Sequence, residues 1–224
     1  MSFSGKSFGA IAFTYDFTYD QPEGYVQGGL NDQGLFFDFN ALPAVAVLEP
    51  RHWDAKRDYP GGDSALIRHI LRTCATVPDV VALLETYRLP ALLSGQMHVA
   101  DRQGNLAVLT ADSFLVTTGG PLISTNFAFT KRGERGARAC WRYPIARRML
   151  AARGVSLESL RAVMDSTQQR RAVSTIFTNI TNLSTGDIYF YYAGDFRRAW
   201  HFRIPELVAR GRHAYRMREL FHDA

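Results

Sequence analysis

Hydrogen-bond donors, and not a paired acid and base, are the first chemistry this chain offers. Residues 28–43, GGLNDQGLFFDFNALP, set two glycines and an Asn-Asp-Gln-Gly turn directly ahead of an apolar run. Gly28 and Gly29 permit close backbone approach, and Asn31-Asp32-Gln33-Gly34 is strong turn chemistry rich in hydrogen-bonding groups. Asn31 is equally explained as a plain hairpin residue. Other reactive types are sparse. The two cysteines, Cys74 and Cys140, show no CxxC spacing, so neither a disulfide framework nor a zinc site is expected. The six histidines (His52, His69, His98, His201, His213 and His222) form no HExxH pair, and neither a P-loop nor a dinucleotide-binding glycine motif occurs. No metal and no cofactor is expected.

Holding such groups in place requires a core. The 224 residues are 46% hydrophobic and 12% aromatic, and no Ser/Gly/Pro-rich linker interrupts them. This predicts a single domain over 1–224. The apolar stretch ALPAVAVLEP contains two prolines and is too short to span a bilayer. MSFSGKSFGAIAF runs into TYDFTYD without a signal-peptide pattern, so a cytoplasmic chain is expected. The net charge is +5, with arginines gathered in KRGERGARACWRYPIARR and near the C-terminus. Glutamates interleave with these arginines and stacking aromatics do not alternate with them, so nucleic acid is not the expected partner.

The hydrophobic period switches along the chain. FGAIAFTYDF (8–17), EGYVQGGLN and GLFFDFNAL read as antiparallel strands, the last two joined at Asn31–Gly34. DSALIRHILRTC reads as a helix with Asp63 as its N-cap. TVPDVVALLETYRL reads as a second, capped by Thr76 with Pro78 in its first turn and Val81, Leu84 and Leu83 buried. GQMHVAD and LAVLTAD form a hairpin around 101–105, and SFLVTTGGPLISTNF a second one turning at Gly119-Gly120-Pro121. YPIARRMLAARG and SLESLRAVMDSTQQ follow as helices, the second capped by Ser156. STIFTNITNL, DIYFYYAGDF and AWHFRIP return to strand before a final basic helix. Runs of strands alternating with runs of helices define an α+β class, here predicted as two sheets between two helical layers, αββα.

With that order in place, YVQGGLNDQGLFFDFNALP resembles the Gly-Met/Leu-Asn-Glu-x-Gly-Leu segment of the linear amide C–N hydrolases. These are N-terminal-nucleophile enzymes that include choloylglycine hydrolases, penicillin V acylases and the acyl-CoA:6-aminopenicillanate acyltransferase group. CATVPDVVALL, HVADRQGNLAVLTAD, ISTNF, CWRYPIARRML and STIFTNITNLSTGDIYFYY follow in that family's order over nearly the whole chain. The resemblance implies hydrolysis or transfer of N-acyl groups, with acylated amino acids or penicillin-like amides as substrates. It implies that Asn31 offers a backbone oxyanion donor, that Asn126 offers a side-chain amide donor, and that Arg142, ahead of a helix opened by Pro144, orients the site. Plain structural roles stand beside these: Asn126 as a strand-end cap, Arg142 as a surface arginine.

The family's N-terminal cysteine, which uses its own α-amine as base, has no counterpart in the given sequence. Ser2, exposed if Met1 is removed, is a remote substitute. Cys74 falls on the apolar face of a helix and Cys140 ahead of the Arg142 helix. The expectations are an N-terminally incomplete fold lacking the family's first strands, without amidase activity as given, and a homo-oligomer that covers the gap. A nucleophile-less relative that binds an acyl or amide ligand is the main alternative, and a basic nucleic-acid-binding protein the lesser one.

Overall fold

Period-two alternation sets the first sheet. In the computed structural model, which describes residues 7–15, 25–43, 48–50, 52–129, 140–170 and 174–222, the chain divides into two compact units, Met1–Gly136 and Ala137–Ala224. Ser2 and the end of the strand expected at 8–17 lie outside the described residues.

In the first unit, β1 (Ala10–Tyr15), β2 (Tyr25–Asn31) and β3 (Phe36–Ala41) are joined in one sheet by β6 (Gly95–Ala100), β7 (Asn105–Leu109) and β8 (Phe114–Thr118). The order is β1-β2-β3-β6-β7-β8, with every pairing antiparallel. Two helices intervene, α1 (Gly62–Thr73) and α2 (Val77–Thr86). A short parallel pair, β4 (Arg57–Asp58) with β5 (Tyr87–Arg88), flanks them and is too brief for any period to announce.

One face of the large sheet carries the core. Phe37, Phe39, Met97, Val99, Ala107 and Leu109 cluster with Leu66, Ile67, Ile70 and Leu71 of α1 and with Val77, Val80 and Leu84 of α2. Each such large side chain contributes roughly 1.5–3 kcal/mol when fully buried. Alternation sends the intervening residues to the other face, where Asp38 and Asn40 of β3 stand beside His98 and Gln96 of β6.

The second unit holds α3 (Arg142–Arg153), α4 (Leu157–Thr167) and a three-stranded antiparallel sheet. Its strands are β9 (Phe177–Asn182), β10 (Asp187–Tyr192) and β11 (Asp195–Arg203), in the order β11-β10-β9. Ile180, Tyr191 and Phe196 form its small core, with Leu160 of α4 packed against them. Short helices α5 (Ile204–Ala209) and α6 (Met217–His222) follow where one basic helix was expected. The fold is α+β. No helix among the described residues is long and apolar enough to cross a membrane.

Four local expectations are corrected. Gly61, at φ 89°, is the N-cap of α1, while Asp63 lies in its first turn and accepts a hydrogen bond from Ala91 N. Thr76 does cap α2 in a capping box with Asp79, but Val77 and Val80 are buried rather than Val81 and Leu83, which are only partly so. The expected hairpin at 114–127 keeps only β8; residues 121–125 form no strand, since Pro121 has no N–H to donate. Finally, α3 begins at Arg142, so Pro144 lies inside its first turn and Arg142 is helical.

Candidate functional site

The polar face of the first unit's sheet is built from two strands and a strap. Asp38↔His98 and Asn40↔Gln96 are register partners across β3 and β6, so these four side chains emerge in two adjacent cross-strand pairs. Residues 121–129 cross beside them, fixed at three points. Gln96, fully buried, donates through Nε2 to Thr125 O (2.5 Å) and accepts from Phe129 N (3.3 Å). Ser124 Oγ sits 2.8 Å from His98 Nδ1. Asn126 Nδ2 donates to Ala41 O at the end of β3.

Asp38 is held from the other side. Its Oδ1 accepts from Gln27 Nε2 (3.1 Å) and from Phe39 N (2.7 Å). The carboxyl lies over Gly28: a Cβ there would sit 3.0 Å from Asp38 Cγ and 2.8 Å from Phe37 O, so the position requires glycine. Burial pushes the Asp38 carboxyl up to about 6, against the lowering pull of those two hydrogen bonds. Burial also pushes the His98 imidazole down to about 4. At neutral pH the pair is therefore a carboxylate beside a neutral imidazole.

Asn31 is engaged by its backbone and by its side chain. It is completely buried, and its backbone N–H is donated to Leu35 O (3.0 Å), closing the hairpin instead of facing a ligand. Its side chain spends both N–H groups on the last carbonyls of α1, Leu71 O and Cys74 O, each at 2.8 Å. Its Oδ1 accepts from Gln33 N and Leu35 N, each at 3.1 Å. Asn31 pins a hairpin to a helix end.

Asn126 stands, half-buried, on the same strap as Ser124. Arg142 belongs to the second unit, as the half-buried first residue of α3. Both cysteines are buried and free of disulfides, and burial pushes the Cys74 thiol up to about 11, far from a thiolate at neutral pH. Sequence reasoning passed over Asp38, Gln96, His98 and Ser124. Their signal was the alternation F-D-F-N and Q-M-H-V, in which polar side chains recur on the face opposite an apolar one.

This mixed α+β architecture is shared with solved structures of the N-terminal-nucleophile hydrolase fold. The chain is structurally similar to a mutant conjugated bile acid hydrolase from Clostridium perfringens (TM-score 0.66, 11% identity, 90% of this chain and 78% of that one). It is also similar to penicillin V acylase from Agrobacterium tumefaciens (TM-score 0.58, 17% identity, 84% of this chain and 67% of that one). No protein-family model and no curated protein matches the sequence.

Proposed function

We propose that the protein binds N-acyl amide ligands, such as acylated amino acids or penicillin-like amides, on the polar face of its larger sheet. The observation that carries this reading is the cluster of Asp38, Gln96, His98, Ser124 and Asn126 on a face whose reverse is wholly apolar core. Hydrogen-bonding groups concentrated beside apolar neighbours are what fixes the polar centre of an acyl ligand. The fold supports this ligand class, because two of the structures it resembles are named as a conjugated bile acid hydrolase and a penicillin V acylase.

In this reading the Asn126 amide donates to the ligand carbonyl. Neither cysteine serves as nucleophile: both are buried, and the Cys74 thiol resists ionisation. Two free cysteines suit a reducing cytoplasm, where we place the protein. Calorimetry with N-hexanoyl amides and with penicillin V, beside chromatographic assay for released amine, tests the proposal. Binding is expected, with Asn126→Ala weaker by about tenfold, the cost of one buried hydrogen bond to a ligand. Amide turnover abolished by Ser2→Ala would move the function to an N-terminal serine. Absence of binding by every N-acyl amide would remove the proposal.

A further inference from the structure

Two polar atoms on this face are left unused. Asp38 engages Oδ1 alone, with Gln27 and Phe39, and among the described residues its Oδ2 has no partner. His98 engages Nδ1 alone, with Ser124, and its Nε2 is likewise open. Both residues are half-buried and directly opposite each other in the β3–β6 register, so the open atoms belong to neighbouring side chains on one face.

The contact with Ser124 decides what His98 can offer. The Ser124 hydroxyl lies 2.8 Å from His98 Nδ1, and its one hydrogen is here taken as donated to that nitrogen. A neutral imidazole that accepts at Nδ1 carries its proton on Nε2. His98 thus presents an N–H donor, and Asp38 beside it presents a carboxylate acceptor.

That combination selects by charge as well as by hydrogen bonding. A carboxylate head group meets the Asp38 charge with no cation from His98 to offset it. An ammonium can pair with Asp38 but then faces the donor on Nε2. A neutral group with an acceptor and a donor on different atoms satisfies both residues. A carboxamide is such a group, with its carbonyl oxygen and N–H on one edge.

We propose that Asp38 and His98 form a subsite for an uncharged carboxamide head group, with His98 Nε2–H donating to its carbonyl oxygen and Asp38 Oδ2 accepting from its N–H. The inference rests on the N-acyl amide reading and narrows it, from N-acyl amino acids to N-acyl amino acid amides. Ser124 acts as a positioning residue that holds the His98 tautomer.

The test compares N-hexanoylglycinamide, N-hexanoylglycine and the methyl ester of the latter by calorimetry at neutral pH. The amide is expected to bind about tenfold or more tightly than the acid or the ester, because the acid adds a repelled charge and the ester lacks the N–H. Asp38→Asn, which is isosteric, should erase most of the preference of amide over acid. His98→Phe should weaken amide and ester alike. Nitrogen-15 shifts of His98 should report the Nε2–H tautomer and move on amide binding, a readout that a merely structural role would leave unchanged. Acid binding as tight as amide, a preference that survives Asp38→Asn, or an Nδ1–H tautomer overturns the subsite while leaving the N-acyl reading intact. If none of the three ligands binds, the N-acyl reading itself fails and takes the subsite with it.

Discussion

Asn31 shows how a residue marked out for chemistry can be spent on architecture. Replacing it with alanine strands two carbonyls at the end of α1 and two hairpin N–H groups away from water. Asn31→Ala should cost about 3 kcal/mol in chemical denaturation, the range for breaking a buried network. Asp38 and His98 bear on stability in opposite senses. The raised Asp38 value means that the folded chain takes up this proton more readily than the unfolded one. Its charge therefore costs stability above pH 6, and that stability returns as pH falls toward 4. His98, lowered, stays neutral in the fold while the unfolded chain protonates below pH 6.5, so its contribution is lost as pH falls from there toward 4. Relative to the parent, Asp38→Asn should stabilise at pH 7.5, by roughly 3 kcal/mol at most, and lose that advantage by pH 4. His98→Gln should gain on the parent as pH falls from 7.5 to 5. Denaturant midpoints across this range check both, and parallel curves for all three proteins would contradict the assigned protonation states. These residues were half-legible in the sequence. The alternation placed Asp38 and His98 off the core face, but only the β3–β6 register, closed across two helices and more than fifty residues, makes them neighbours.

Strands and helices were more readable than their junctions. The α2 cap is local chemistry, with Thr76 and Asp79 three residues apart, and the sequence states it directly. The start of α1 was misjudged because glycines with positive φ, Gly61 and Gly62, do what an aspartate side chain usually does. The second arm of the expected hairpin, ending at Phe127, forms no strand for a different reason. Its pattern is extended, yet its partners are side chains, Gln96 and His98, instead of a neighbouring backbone. A tight junction against backbone is where β2 meets β1 and α1. A Cβ on Gly29 would stand 2.5 Å from Ile11 O and 3.0 Å from both Leu71 methyl carbons. The first contact is with backbone and cannot yield by rotating a side chain. Gly29→Ala should therefore push β1 off β2 or lift α1, lowering the thermal midpoint by several degrees, in keeping with a cost of about 2 kcal/mol. The comparator is Gly104→Ala, at a turn with φ 86° and open space around it, where the only cost is backbone strain of about 1 kcal/mol. A larger loss at Gly104 would show that conformation, and not close approach, is what the glycines supply.

The assembled protein has strand edges to protect, and its two sheets meet that need unevenly. β11 bounds the smaller sheet with Arg197, Arg198 and Arg203 along its length, charges that repel a second copy. β1, one of the two outermost described strands of the larger sheet with β8, is AIAFTY, with no charge and no proline. Its exposed positions are Ala10, Ala12 and Thr14, and its sequence has the β-prone character that pairs with another chain. This is the physical basis for expecting copies of the chain to associate, through β1 and not through β11. Sedimentation from low to high micromolar concentration should show growth in mass for the parent protein. Thr14→Lys places a charge on the exposed face of that edge and touches none of the buried core. It should return the protein to a concentration-independent monomer with an unchanged melting temperature. If the parent is monomeric throughout, β1 is already covered and the edge argument fails. If Thr14→Lys associates as the parent does, the contact lies elsewhere on the molecule.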